Sequence, residues 1–128
     1  MRALLDTSAL IGIERRDLVL PPIGRAFVAA MTIGELAMGA AAADDADEYA
    51  IRRHTLLRVR ERFDVIALTG DIAERYGELV ARLRRDGLRP PTADSLIAAT
   101  AMSEGLPVVT QDADFLAFEE HGLDVILV

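Results

Sequence analysis

The sequence contains no cysteine, which excludes a disulfide-stabilised scaffold and any metal site built on thiolates. It has no apolar run of about 18 residues or more, so no transmembrane helix is predicted. The opening residues, MRALLDTS, carry charge too early to form the apolar segment of a secretory signal. We therefore expect a cytoplasmic protein with no membrane contact.

Lysine is also absent, so all 14 basic side chains are arginine. The planar guanidinium of arginine suits contacts with phosphate. Against these bases stand 21 acids, and the net charge of −7 lacks the basic excess that usually accompanies nucleic-acid binding. Divalent cations held by some of the acids would make the working charge less negative. Net charge therefore leaves a nucleic-acid partner open.

The length of 128 residues and the hydrophobic content of 52% fit one domain over residues 1–128 with a substantial core. Short apolar runs alternate with helix-length segments, which is typical of a parallel sheet covered by helices on both faces. The predicted strands are Arg2–Leu5, Ala26–Ala30, Asp64–Leu68, Pro107–Thr110 and Asp124–Val128.

Capping residues and helix breakers predict six helices. The first five are expected to begin at Thr7 or Ser8, Thr32, Asp44, Asp71 and Thr92. They should end near residues 14, 43, 62, 87 and 105, and a short sixth helix should follow Asp112.

Acidic residues recur where the predicted strands end and the following helices begin. Asp6 directly follows the first strand, and Asp112 and Asp114 follow the fourth. Glu35 and Asp94 are expected in the first turns of the second and fifth helices. Ligands of parallel α/β sheets bind at this carboxyl edge. Four separate segments therefore each direct a carboxylate toward one edge of the sheet.

Taken singly, each acid has a structural explanation. Thr32 and Glu35 match the S/T-x-x-E capping box, Asp94 suits a helix dipole, and Asp6 and Asp112 can cap helices. Asp71 meets the same criteria, since it follows the third strand and opens a helix. Spacing alone does not exclude Asp71 from the cluster.

Taken together, the acids point to a metal. Carboxylates about 5 Å apart repel by roughly 3 kcal/mol per pair at an effective dielectric near 20. Such a cluster raises its own pKa values or binds a cation. Ligand sets made only of oxygen select Mg²⁺ or Mn²⁺, and a frequent use of such sites is phosphoryl transfer.

Three segments carry a family likeness: LLDTSALI, MTIGELAMG and PPTADSLIAATAMSEGLPVVTQDADF. In order and spacing they resemble the PIN-domain ribonucleases, and more narrowly the VapC-type toxins of bacterial toxin–antitoxin pairs. The likeness covers essentially the whole chain. It implies a three-layer α/β/α fold around a five-stranded parallel sheet in the order 3-2-1-4-5, which would place Asp71 at an edge.

The resemblance also implies a Mg²⁺- or Mn²⁺-dependent endoribonuclease that pairs with a VapB-like antitoxin and forms a homodimer. Four positions match the metal-binding acids that carry catalysis, one matches an accessory acid, and three match hydroxyls that orient carboxylates or water. The four metal-binding positions are Asp6, Glu35, Asp94 and Asp112, and the accessory acid is Asp114. The three hydroxyls belong to Thr7, Ser8 and Thr110.

The arginines fall into two groups. Arg84, Arg85 and Arg89 lead directly into the segment of Asp94, which makes them candidates for RNA contacts. The arginines between residues 52 and 62 are interpreted mainly as a solvated, salt-bridged helix face.

Two other classes remain as alternatives. A receiver-like phosphoacceptor domain also gathers acids at strand ends, but it needs a lysine after a late strand. A non-catalytic RNA-binding or scaffold module would keep the acids only as helix caps. The absence of lysine counts against the receiver-like domain, and binding of Mg²⁺ or Mn²⁺ that depends jointly on Asp6, Asp94 and Asp112 separates the metal-dependent nuclease from the non-catalytic module.

Overall fold

A computed structural model describes all 128 residues, and its centre is a five-stranded parallel sheet. The strand order is β3-β2-β1-β4-β5, as the resemblance implied. The strands are β1 Arg2–Leu5, β2 Arg25–Ala29, β3 Asp64–Ile66, β4 Val108–Thr110 and β5 Val125–Leu127. Every neighbouring pair is parallel.

Five α-helices and one 3₁₀ helix connect and flank the strands. They are α1 Thr7–Glu14, α2 Ala30–Ala41, α3 Ala46–Arg62, α4 Gly70–Arg85, α5 Thr92–Glu104 and the 3₁₀ helix Ala113–His121. The last two end at Gly105 and Gly122, whose positive φ angles of 65° and 102° suit glycine. No helix has both the length and the apolar character needed to cross a membrane.

The hydrophobic core is divided into two clusters by the alternation of side chains along the strands. In β1, Leu4 belongs to the cluster that includes Leu79 and Leu83 of α4. Its neighbours Ala3 and Leu5 belong to the second cluster, which packs under α1, α2 and α3. The sheet is therefore the middle of three layers, as the sequence predicted.

The central strand β1 is buried on both faces and ends at the site. Residues Ala3 to Leu5 are fully buried, and Asp6 immediately after them is only 4% exposed. The N–H of Asp6 still donates to the carbonyl of Val109 in β4 at 3.1 Å. The sheet thus delivers the Asp6 carboxylate to its carboxyl edge, next to the end of β4.

Several predicted helix starts are wrong by one or two residues. Helix α1 does begin at Thr7, one of the two expected starts, and its cap is Asp6, as the sequence also allowed, because the Asp6 Oδ1 accepts from the N–H of Ala9. Helix α2 begins at Ala30, immediately after β2. Thr32 and Glu35 therefore form no capping box, and Glu35 lies in the second turn.

Two further caps also differ from the prediction. Asp45 caps α3 instead of Asp44, and Thr69 caps α4 instead of Asp71. In both cases the observed residue places its side-chain oxygen within reach of the N–H three residues later.

The outer strands are shorter than predicted. Strand β3 ends at Ile66 rather than Leu68, and β5 covers only Val125–Leu127. Both are edge strands with a hydrogen-bonded partner on one side only. Apolar residues beyond the paired length therefore remain outside the ladder.

Thr32 of α2 gives a stability test of the fold. The residue is fully buried, and its Oγ1 has no hydrogen-bond partner. Removing an unsatisfied buried hydroxyl while keeping the side-chain shape relieves a desolvation cost of about 1–3 kcal/mol. We expect Thr32→Val to raise the free energy of unfolding by about 1 kcal/mol in urea denaturation.

The matched control is Thr100 of α5, which is 3% exposed and donates to the carbonyl of Leu96 at 2.7 Å. Thr100→Val should leave stability unchanged or lower it. A loss of stability in Thr32→Val would show that its hydroxyl has a partner in solution.

Candidate metal centre

The carboxylate of Asp6 lies at the centre of a hydrogen-bond network. Its Oδ1 accepts from the Ser8 hydroxyl at 2.8 Å and from the N–H of Ala9 at 3.1 Å. Its Oδ2 accepts from the Thr110 hydroxyl at 2.9 Å. With one donor on Oδ2, that oxygen retains a lone pair for a further partner such as a cation.

The same two hydroxyls hold the loop that follows β4. The Ser8 Oγ accepts from the N–H of Gln111 at 2.9 Å, and the Thr110 Oγ1 accepts from the N–H of Asp112 at 2.9 Å. Each hydroxyl therefore donates to Asp6 and accepts from the loop. This double use fixes the backbone of Asp112 relative to the Asp6 carboxylate.

Glu35 reaches the site from α2. Its Oε1 accepts from the Thr7 hydroxyl at 2.7 Å, which joins α2 to the first residue of α1. Glu35 is half-buried, and its second oxygen has no hydrogen bond within the protein. Thr7 thus orients one side of the carboxylate and leaves the other side available.

The remaining three acids come from the other half of the sheet. Asp94 is half-buried in the first turn of α5. Asp112 caps the 3₁₀ helix, where its Oδ1 accepts from the N–H of Asp114 at 2.9 Å. Asp114 itself is exposed at the rim. The 3₁₀ helix therefore begins at a carboxylate that also belongs to the acidic cluster.

Burial and mutual repulsion perturb two of these acids. Burial, together with the charges of four neighbouring acids, raises the pKa of Asp94 to about 6; these acids are Asp112, Glu35, Asp6 and Asp114. Burial also raises the pKa of Asp6 above its usual range, although hydrogen bonds from Ser8, Ala9 and Thr110 oppose the increase. The other four predicted acids therefore all lie close enough to Asp94 to raise its pKa.

No basic side chain compensates this charge. The three ion pairs of the protein join Arg25 to Asp64, Arg52 to Glu48 and His121 to Asp86, and none includes a site acid. Every charged group that perturbs Asp94 is another acid. An uncompensated group of carboxylates fits a hard divalent cation, which prefers oxygen ligands.

The acids do not form a closed cage as they stand. No three acidic or histidine side chains lie close enough together to enclose a metal ion. Binding one would require some of these side chains to change conformation. The donor set fits a magnesium or manganese ion, and the repulsion among its members favours such a change.

The structure separates other candidates from this cluster. Asp71 is exposed in the first turn of α4, after the edge strand β3, and its charge is not among those that perturb Asp94. Arg84, Arg85 and Arg89 are exposed at the end of α4 and in the segment that leads to α5.

Sequence reasoning missed a small cleft beside Glu35. Arg15 and Arg52 border this cleft, which lies between α1, α2 and α3. No motif could have identified them, because their proximity depends on how the three helices pack.

The raised pKa of Asp94 predicts how stability depends on pH. Because the folded protein binds this proton more tightly than the unfolded chain, Asp94 favours folding at low pH. That contribution is lost as pH rises through about 6. We expect Asp94→Asn to raise the melting temperature of the metal-free protein at pH 7.5. After allowance for solvent screening, the free energy of unfolding should increase by about 1 kcal/mol, which corresponds to a rise in melting temperature of roughly 4 °C.

Asp71→Asn is the control for this measurement. Asp71 interacts favourably with the N-terminal dipole of α4, so its neutralisation should lower stability slightly. Thermal unfolding in EDTA at pH 5 and pH 7.5 would test both variants. A destabilised Asp94→Asn protein at pH 7.5 would contradict the repulsion described above.

Comparisons with known proteins agree with this architecture. The family model described as PIN domain matches residues 3–120. Ribonuclease VapC4 of Mycobacterium tuberculosis is 38% identical over 124 residues, which cover 93% of this chain and 92% of the relative. Ribonuclease VapC5 of the same organism is 36% identical and covers 91% of this chain and 87% of its own length.

A solved structure shows the same fold over nearly the full length. VapBC-5 from M. tuberculosis, a member of the VapBC family of toxin-antitoxin systems, matches with a TM-score of 0.86 and 33% identity. The match covers 99% of this chain and 98% of the other. This membership removes the receiver-like alternative. The chain belongs to the PIN-domain family and, within it, to the VapC group.

Proposed function

We propose that this protein is a Mg²⁺- or Mn²⁺-dependent endoribonuclease that acts as the toxin of a toxin–antitoxin pair in the cytoplasm. The observation that carries the proposal is the cluster of five acids without a compensating base, with the pKa of Asp94 raised to about 6. The names of the two M. tuberculosis relatives support the choice of RNA as substrate.

The ion would be held by oxygen atoms of Asp6, Glu35, Asp94 and Asp112, with Asp114 at the rim. When bound, a divalent cation supplies positive charge that acidifies water and neutralises charge developing on a phosphate. Without such charge, the cluster would repel an RNA backbone.

The protein's own groups orient the carboxylates. Ser8 and Thr110 fix both oxygens of Asp6, so this ligand cannot rotate freely. Thr7 holds one oxygen of Glu35 and leaves the other free to align the attacking water and accept its proton. These hydroxyls therefore contribute by positioning, not by contact with the reacting phosphate.

RNA approach requires positive charge outside the acidic cluster. Arg84, Arg85 and Arg89 are exposed and free of ion pairs, and they precede α5, which carries Asp94 in its first turn. We assign the phosphate contacts on that side to these arginines.

We further propose a VapB-like antitoxin as partner and a homodimer as the assembled toxin. The likeness to the toxin–antitoxin member VapBC-5 supports the partner. Met38, Ile51 and Leu57 are exposed on α2 and α3 and offer apolar surface for an amphipathic helix. Co-purification with the product of the adjacent gene, followed by mass measurement of each species, tests both assignments.

The nuclease assignment is tested with Asp6→Asn. Total RNA is incubated with antitoxin-free protein in Mn²⁺ or in EDTA, and cleavage ends are mapped. We expect discrete products from the wild type that disappear in EDTA and fall at least about 100-fold in the variant, since a central metal ligand and its charge are lost.

Asp71→Asn is the matched control, because it removes a carboxylate at another helix start and should cleave as the wild type does. Full activity of folded Asp6→Asn would contradict the site. Failure of the wild type to bind Mn²⁺ or cut RNA would instead favour a non-catalytic module whose acids cap helices.

The arginine assignment is tested by salt dependence. The triple substitution of Arg84, Arg85 and Arg89 by alanine is made in the Asp6→Asn protein, and we expect it to weaken RNA binding. The plot of log affinity against log salt concentration should become less steep by about two to three units, close to one for each lost phosphate contact. Fluorescence anisotropy with a single-stranded RNA measures this slope. An unchanged slope would show that these arginines are solvent-exposed residues that make no contact with RNA phosphates.

A further inference from the structure

A cleft of about 200 Å³ lies between α1, α2 and α3, directly beside the acidic cluster. Thr7 and Glu35 belong to both, since the hydrogen bond between them forms the shared wall. From Thr7 the cleft follows α1 as far as Arg15, a distance of about 12 Å at the helical rise per residue. The cleft and the acidic cluster are therefore neighbours on the same surface, separated only by the Thr7–Glu35 pair.

The walls of the cleft are held in place by hydrogen bonds between the helices. The Thr55 hydroxyl of α3 donates to Glu14 of α1. The Arg52 guanidinium of α3 donates to the Gly39 carbonyl of α2 at 2.7 Å, and it also pairs with Glu48. The cleft is thus pre-formed, and the donors on Arg52 are oriented before any ligand arrives.

The lining combines apolar and hydrogen-bonding groups. Ile11 and Leu36 are its only hydrophobic residues, while Arg15, Arg52 and Glu14 line the polar part. Arg15 is exposed and has neither an ion pair nor a side-chain hydrogen bond. Because Arg52 already pairs with Glu48, Arg15 is the only basic group of the lining that is free to bind a ligand. The carboxylates of Glu14 and Glu35 in the same lining disfavour a bare phosphate.

We propose that this cleft receives the base of one nucleotide next to the phosphodiester that is cut. The inference rests on the proposed ribonuclease function. Sequence-specific proteins read single-stranded RNA through bases splayed into pockets, where faces meet apolar or planar groups and edges meet hydrogen-bonding groups. Ile11 and Leu36 provide the apolar contact, and Arg15, Arg52 and Glu14 provide donors and acceptors.

Size and polarity favour a base over the other occupants. Sites for drug-sized ligands occupy roughly 300–1,000 Å³, so this smaller cleft accepts one ring system and not a whole nucleotide. An amphipathic partner helix needs a predominantly apolar groove, whereas only two of the nine lining residues are hydrophobic. Arg15, the one cation here without a partner, is the residue on which selectivity depends most.

The test maps cleavage sites in a randomised RNA pool with wild type, Arg15→Ala and Arg53→Ala. Arg53 is the matched control, because it is exposed on α3 one residue from Arg52 and does not line the cleft. We expect Arg15→Ala to reduce the preference for one base over the others, at one position beside the cut, by about 10-fold. A single good contact to a base edge provides discrimination of that size. Arg53→Ala should keep the wild-type pattern.

The outcomes separate this inference from the proposed function. Asp6-dependent cleavage with the same base preference in wild type and Arg15→Ala would overturn the inference and leave the nuclease intact. Absence of Asp6-dependent cleavage would overturn both. An unchanged preference combined with weaker binding of the antitoxin by Arg15→Ala would assign the cleft to the protein partner, which also overturns the inference.

Discussion

The buried carboxylate of Asp6 is the interaction on which the site depends. It ends the central strand, caps α1 through the N–H of Ala9, and accepts from Ser8 and Thr110. Because Thr110 also accepts from the N–H of Asp112, the same group aligns β4 and the loop after it. Helix start, loop position and candidate metal ligand are therefore one arrangement, and the capping role of Asp6 does not compete with the metal-binding role proposed for it.

The arrangement lowers the stability of the metal-free fold, and the proposed cation would relieve that cost. Five acids gather at the sheet edge with no basic partner, and burial together with repulsion from the other acids raises the pKa of Asp94 to about 6. A protein selected only for stability would replace one of them or pair it with an arginine. Keeping the charge uncompensated leaves folding stability and cation binding in opposition, as is common where a site is built for activity.

The sequence predicted the elements that periodicity and helix breakers define: five strands, six helices and the position of every candidate acid near one edge. It misplaced helix starts because several adjacent polar residues can cap, and only the folded backbone selects Asp45 over Asp44 or Thr69 over Asp71. The strand order came from the family resemblance, since spacing alone left Asp71 in the cluster. The cleft at Arg15 and Arg52 was beyond prediction because it arises from helix packing.

Calorimetric titration of Mn²⁺ into the metal-free protein tests the central claim most directly. Measured at pH 6 and pH 8 in two buffers with different ionisation enthalpies, it reports affinity and proton release together. Because carboxylates must lose protons to bind metal, the account predicts binding at both values, with proton release at pH 6 and little at pH 8. Absence of binding, or binding with no difference in proton release, would contradict it.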